Sequence, residues 1–393
     1  MRNLRERLMV VASSKPKEPQ TAPFPKKEAF FCREQIVPLG DLRGIEHTTL
    51  DEIRECDPLF SGDHWDIRRV LFLDTETTGL SGGAGTVAFE IGVGFIDQRG
   101  MVIRQYVMRD YSEEGPMLEE IAALFRYFDT IVSFNGKSFD LPLLESRMVM
   151  NRIRMRVTQM PHLDLLHAAR RVYKLRLRRC NLAALEEAVL GQKRQDDLPG
   201  AQVPQRYFDY IRTREFSLLE DVLRHNFDDV KSLASLTGHL CAVFRKPEEI
   251  EHPQDLYGVG RTLMRGGRTQ KARACFRILG HSSLSSQAHM HLAVSYKKEK
   301  EWKEAVETWQ GMIVKGDGGT WPYIELAKYY EHIARDIVRA LHYANGALAF
   351  ALNAAPLWGE DEKETALIRK RIDRLKEKQK KASLCDVQEE RRI

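Results

Sequence analysis

Apolar residues come in two rhythms along this chain, and the change of rhythm falls near residue 250. Before it, short apolar runs separated by turn residues predict strands. They are Leu71-Phe72-Leu73, Val87–Asp97, Met101–Met108, Ile131-Val132-Ser133-Phe134 and His162-Leu163-Asp164-Leu165-Leu166. Arg99-Gly100 turns the second run back into the third. Helical spacing is found between them at Leu118–Phe128, in the run ending at Met150, at Leu182–Leu190 (stopped by Gly191) and over a long stretch from Leu218 to Phe244.

From Pro253 the pattern is helical throughout. Leu256, Gly260, Leu263, Ala272 and Phe276 return as Ala293, Tyr296, Ala305 and Trp309, then more loosely as Leu326, Ala327, Tyr330, Ala340 and Ala344. Steps of 33 and 35 residues separate Ala272, Ala305 and Ala340. Such a period means stacked helix pairs, each burying its neighbour's apolar face. The spacing resembles tetratricopeptide repeats, and that resemblance implies a protein-binding surface; a purely structural extension is the plainer alternative. Residues 361–381 carry Leu367, Ile368, Ile372 and Leu375 on one side of a charged helix, as suits a solvated cap. We therefore expect an arm at 1–30, an extension at 31–66 packing on the next domain, a domain at 67–246, helical repeats at 253–358 and a capping helix and tail at 359–393. The arm is inferred from four prolines and four lysines within residues 13–30.

Chemistry concentrates where the first strand ends. Asp74 and Glu76 are two apart, so on an extended strand they share a face. Two carboxylates that close repel unless a cation lies between them, and oxygen ligands suit Mg²⁺ or Mn²⁺. Thr77-Thr78-Gly79-Leu80 follows, then a Gly-rich turn, Ser81–Thr86, which ordinary turn chemistry explains. Asn135-Gly136 turns the chain into a helix with Asp140 in its first turn, where a carboxylate also favours the helix dipole. On the long helix His225 and Asp229 are four apart and point the same way, although the spacing does not exclude Asp228.

In order, Asp74-x-Glu76-Thr77-Thr78-Gly79-Leu80, Asn135-Gly136-x-x-Phe139-Asp140-x-Pro142-x-Leu144 and His225-Asn226-x-x-Asp229 resemble the three motifs of the DEDD superfamily of 3′→5′ exonucleases. The resemblance covers about residues 68–244. It implies an α/β ribonuclease H-like domain, a mixed sheet flanked by helices, here joined to an all-α repeat domain. It also implies a two-metal site of Asp74, Glu76, Asp140 and Asp229, with ions about 3.5–4 Å apart and His225 as general base. Thr77, Thr78, Gly79, Leu80 and Asn135 would grip the terminal nucleotide. One departure stands out: the best-known enzymes place His five residues before the last Asp or Tyr four before it, and this chain has His at the Tyr spacing. That pattern, with Asp197-Leu198-Pro199-Gly200 and Tyr207-Phe208, is similar to the YprB-like subgroup, which includes the mitomycin repair factor B exonucleases. The subgroup implies DNA repair on a 3′ end, single-stranded or in gapped or damaged duplex, with a DNA helicase as partner of the repeats.

Charge adds one feature. Overall the chain is mildly basic, at +5. Residues 151–180 hold nine Lys or Arg, among them Arg170, Arg171, Arg178 and Arg179, against the single acid Asp164. Inside a domain with a phosphodiester site, we expect such a cluster to meet backbone phosphates rather than solvent alone. Asp164 is open to a supporting role in the site or a structural hydrogen bond. Six scattered cysteines lack the spacing of zinc or redox motifs. With no apolar run of membrane-spanning length and too short an apolar run at the N-terminus for a signal peptide, a bacterial cytoplasmic protein that joins the nucleoid when acting on DNA is expected. Two rival readings stay open here: a catalytically weak adaptor that holds nucleic acid while its repeats recruit a partner, and an exonuclease directed at RNA.

Overall fold

The strand that carries the paired acids is β2, Val70–Thr77, and it lies inside the sheet, with a neighbour on each side. The computed structural model describes residues 29–79, 85–194, 198–358 and 362–390. Leu80, the Gly-rich turn at 81–84, Asp197 and nearly all of the expected arm lie outside the described residues. Contacts divide the chain into two units, Met1–Lys246 and Pro247–Ile393.

In the first unit, β1 (Phe31–Val37), β2, β3 (Ala88–Asp97), β4 (Gly100–Val107), β5 (Thr130–Ser133) and β6 (His162–Asp164) form one sheet in the order β1-β4-β3-β2-β5-β6. The β1–β4, β4–β3 and β3–β2 pairs are antiparallel; β5 runs parallel to β2 and β6 to β5. The sheet is therefore mixed, with helices α1 (Leu50–Cys56), α2 (Glu114–Phe125), α3 (Asp140–Met150), α4 (Leu165–Tyr173), α5 (Leu182–Leu185, continuing as a π turn to Leu190), α6 (Val203–Thr213) and α7 (Glu220–Arg245) around it. The extension at 31–66 is more intimate than a packed add-on: β1 pairs along its whole length with β4. Its interior pattern is polar, Cys-Arg-Glu-Gln, as edge strands favour, and this hid it from a hydrophobic reading.

Alternation along β2 divides its side chains between two environments. Leu71 and Leu73 join a core with Phe89, Ile91 and Val93 of β3 and Leu118 and Ile121 of α2. Across the β2–β3 ladder Asp74 faces Gly92 and Glu76 faces Glu90. The two glycines of β3 let α7 sit close to the sheet. A Cβ at Gly92 would lie 2.0 Å from Asn226 Oδ1, and one at Gly94 would lie 2.8 Å from Val230 Cγ1. Removing those methyl groups brings the third motif down onto the first.

The second unit holds α8 (Pro253–Arg265), α9 (Thr269–Ile278), α10 (Ser285–Lys298), α11 (Trp302–Lys315), α12 (Trp321–His332), α13 (Ile337–Trp358) and α14 (Glu362–Glu390). Helices next in sequence pack on one another through the series. Ala272, Ala305 and Ala340, the residues that mark the period, are fully buried. Small side chains at these points let helices approach closely. None of the described helices is long and apolar enough to cross a membrane.

Candidate active site

Three elements bring five side chains to one place. Strand β2 supplies Asp74 and Glu76, the start of α3 supplies Asp140, and α7 supplies His225 and Asp229. His225 Nε2 lies 3.8 Å from Glu76 Oε1 and 3.7 Å from Asp229 Oδ2. One ligand atom from each of Glu76, His225 and Asp229 falls within a 4.8 Å group. The open choice on α7 is thereby narrowed: Asp229, rather than Asp228, shares the cluster with His225.

The site's first acid is held by a residue to which its motif gave no role. Asn226 donates through Nδ2 to Asp74 Oδ2 at 2.9 Å. Gln105 of β4 donates to Glu90 Oε1 at 2.9 Å, to Asn226 Oδ1 at 3.4 Å and to the Leu223 carbonyl at 2.6 Å. A buried amide network thus ties α7 to the sheet beneath the carboxylates. Thr75 donates its hydroxyl to Asp140 Oδ1. These contacts hold the acids in place without neutralising them.

The electrostatics follow. Burial pushes Asp74 well above the ordinary carboxylate range, and repulsion from Asp229 and Asp140 pushes it further. Glu76 is raised well above its usual value by burial, then by Asp74, Glu90 and Asp229. Asp140 is raised by burial to about 6 against the pull of the Thr75 hydroxyl. Asp229 is raised by burial despite Arg194 and His225. Glu90, 1% exposed, is raised by burial to about 8 and so holds a proton at neutral pH. Four carboxylates crowded together and reluctant to ionise fit a divalent cation, which would satisfy their oxygens and cancel the repulsion.

Asp164 has a structural task. Its two oxygens accept from the backbone N–H groups of Asn135 (2.8 Å), Lys137 (3.2 Å) and Leu166 (3.1 Å). It caps α4 and clamps the turn in which Asn135 takes a φ of 67°. That turn delivers Asp140, so Asp164 serves the site at one remove. Of the expected nucleotide contacts, Thr77 donates to the Gly79 carbonyl at 2.8 Å and Thr78 Oγ1 accepts from Val87 N at 3.0 Å. Both hydroxyls shape the turn after β2. In the basic segment Arg170, Arg178 and Arg179 are exposed. Arg171 is turned inward, donating to the Cys56 carbonyl at 3.0 Å and to Asp57 at 2.8 Å, where it ties α4 to the end of α1.

Arg194 is the residue that sequence reading missed. It sits in the loop after α5, doubly bonded to Glu186 on the π turn, and reaches both Asp229 and His225. An arginine beyond a terminating glycine, outside every motif, carried no signal of this.

Residues 71–241 match the RNase H superfamily model. The chain is 32% identical over 357 residues to "Uncharacterized protein YprB" of Bacillus subtilis (strain 168), covering 89% of this chain and 82% of that protein. Among solved structures it is similar to the family B DNA polymerase of the hyperthermophilic archaeon Pyrobaculum calidifontis, at 16% identity and a TM-score of 0.33, over 56% of this chain and 30% of the polymerase. That likeness is too slight to bear on substrate. With a carboxylate cluster on a mixed sheet, the superfamily match and the YprB identity across both units, the chain belongs to the YprB family of RNase H-superfamily proteins.

Proposed function

We propose that this protein is a divalent-metal-dependent 3′→5′ exonuclease acting on DNA. The observation that carries the reading is the meeting of the buried Asp140 with the half-buried Asp74, Glu76 and Asp229, acids that repel one another, beside His225. Asp74, Glu76, Asp140 and Asp229 would hold Mg²⁺ or Mn²⁺, with Asn226 fixing the orientation of Asp74. Bound there, the ions would lower the pKa of the attacking water and neutralise charge on the phosphodiester and leaving oxygen.

The rest falls to the chain itself. His225 presents Nε2 toward the carboxylates and takes the water's proton. The residues Thr77, Thr78, Gly79 and Leu80 and the Asn135 turn receive the terminal nucleotide. The exposed Arg170, Arg178 and Arg179 neutralise phosphates further along the strand. The resemblance to DNA-repair exonucleases supports a repair role, and the helical unit offers a tetratricopeptide-like surface for a protein partner, a DNA helicase in this reading.

A digestion panel tests the proposal. End-labelled single- and double-stranded DNA and RNA are incubated with purified protein and Mg²⁺, Mn²⁺ or EDTA. We expect DNA to shorten from its 3′ end with either metal and to stay intact in EDTA. Hydrolysis that persists in EDTA, or that is absent from every DNA arm, overturns the reading.

A further inference from the structure

Arg194 occupies a position that the metal reading leaves unexplained. Its side chain is 11% exposed. Nε donates to Glu186 Oε2 at 2.7 Å and Nη2 donates to Glu186 Oε1 at 2.5 Å. The same Nη2 donates to Asp229 Oδ1, and Nη1 lies 3.3 Å from His225 Nδ1. Glu186 is itself 2% exposed, so it gives Arg194 a fixed base from which to reach the cluster.

Two consequences follow from donor chemistry. A guanidinium carries donors and no acceptor, and it does not lose its proton in proteins. First, one oxygen of Asp229, a proposed metal ligand, already accepts from a cation. A divalent ion drawing on that oxygen competes with the guanidinium for its charge. Second, His225 Nδ1 faces a donor and so acts as acceptor. The proton of the neutral ring is then on Nε2, the nitrogen that faces Glu76 and Asp229. In that tautomer His225 has no lone pair at Nε2 with which to take a proton from water.

We infer that Arg194 is a positioning residue and the resident cation of this site. It holds Asp229 and His225 in a closed arrangement, and an entering divalent ion exchanges with it at Asp229. Glu186 keeps the displaced guanidinium paired, so the exchange does not strand a buried charge. When Arg194 leaves His225 Nδ1, the ring is free to carry its proton there and to present an open Nε2. The inference rests on the reading of the four acids as a divalent-metal site.

Mn²⁺ binding to the full-length protein, measured by calorimetry without nucleic acid, tests it. Arg194→Gln removes the competing charge and keeps an amide that can bond to Glu186. It should tighten Mn²⁺ binding on the order of tenfold or more, the worth of a charged hydrogen bond. Glu186→Gln should act in the opposite direction and weaken binding severalfold, because Arg194 then loses the charged pairing with Glu186 that draws it away from Asp229. General damage to the loop would weaken both, and that result overturns the inference, as does an Arg194→Gln affinity equal to that of the unaltered protein. If neither the unaltered protein nor Arg194→Gln binds Mn²⁺, the metal reading itself fails, and the inference with it. A second readout is the ¹⁵N shifts of the His225 ring in the metal-free protein. They should report a proton on Nε2 and none on Nδ1; a ring protonated at Nδ1 overturns the inference.

Discussion

Glu325 and Glu331 in the helical unit and the acids of the nuclease unit are all carboxylates removed from water, with opposite electrostatic outcomes. Burial would raise Glu325, yet its bonds with Lys297 (2.5 Å) and Lys328 (2.7 Å) leave it below its usual value. Burial is likewise outweighed at Glu331, where Lys378, Arg374 and Arg371 approach to 2.7, 2.7 and 3.1 Å. These acids stitch α10 to α12 and α12 to α14, and their charge is matched by partners within the fold. In the nuclease unit four acids converge, and Arg194 is the guanidinium among the described residues that meets them. Burial of an acid by itself therefore says little about function. A deficit of positive charge around buried acids says more, because the fold then costs free energy that a cation from solution can offset.

The largest test of this contrast is Asp74→Asn. It should lower the hydrolysis rate by several powers of ten, and by relieving repulsion it should leave the metal-free protein as stable or raise its unfolding temperature by roughly 2–4 °C. A variant that hydrolyses normally, or that loses both rate and stability, would put Asp74 among structural acids such as Glu331.

His225 asks whether the cluster performs proton transfer or only holds metal. His225→Ala should cost about 10²–10⁴-fold in rate while Mn²⁺ still binds, since the four acids remain. His225→Tyr recreates the Tyr spacing of the sister group and should keep partial activity. Near-normal rates in both variants would reduce His225 to a residue of the helix face.

A smaller loss is expected from Asn226→Ala, which removes the donor on Asp74 and opens space above Gly92. Metal affinity should fall about 10–100-fold, the usual worth of a residue that orients a ligand. An unaltered Mn²⁺ titration would show that Asp74 holds its orientation without the amide.

The converse substitution is made in the helical unit. Glu331→Gln should cost about 2 kcal/mol of that unit's stability, a moderate figure because the freed Arg374 and Lys378 side chains are 49% and 45% exposed and can turn to water. Nuclease rate on a short oligonucleotide should not change; a parallel loss of rate would erase the distinction between the two kinds of acid.

The gentlest test is pH. Raised native pKa values mean that the native state binds more protons than the unfolded chain, so stability falls as pH rises through them. With Asp140 at about 6 and Glu90 at about 8, the metal-free nuclease unit should gain stability as pH falls from about 8 toward 5. Glu325 and Glu331 have the opposite sign: their contribution is complete above the ordinary value of 4.5 and is lost as pH falls through their lowered native values. Region-resolved hydrogen exchange should therefore show slopes in one unit and a plateau in the other over that window. Saturating Mg²⁺ should flatten the part due to Asp140 and leave the part due to Glu90. Equal slopes in both units would refute the electrostatic contrast.

Much of this was legible in one dimension. The shared direction of Asp74 and Glu76 follows from the two-residue period of a strand, and that of His225 and Asp229 from the 3.6-residue period of a helix. The buried alanines of the helical unit follow from their recurrence. Such features depend on backbone geometry within a few residues, and the chain states them directly. Other features depend on which distant segments meet. The polar strand β1 is recognisable once β4 lies beside it. Asp229 is distinguished from Asp228 by the rotation of α7 over Gly92 and Gly94. Arg171 turns to Asp57, Asp164 to the Asn135 turn, Asn226 to Asp74 and Arg194 to Asp229, each across at least 27 residues of sequence. Local periodicity carries no information about such partners, because their distances are set by sheet order and helix packing. The sequence by itself set the shared directions of Asp74 with Glu76 and of His225 with an acid of its own helix; the tertiary structure alone decided that Asp229 is the acid beside His225 and Glu76, what holds the cluster and which cation it already meets.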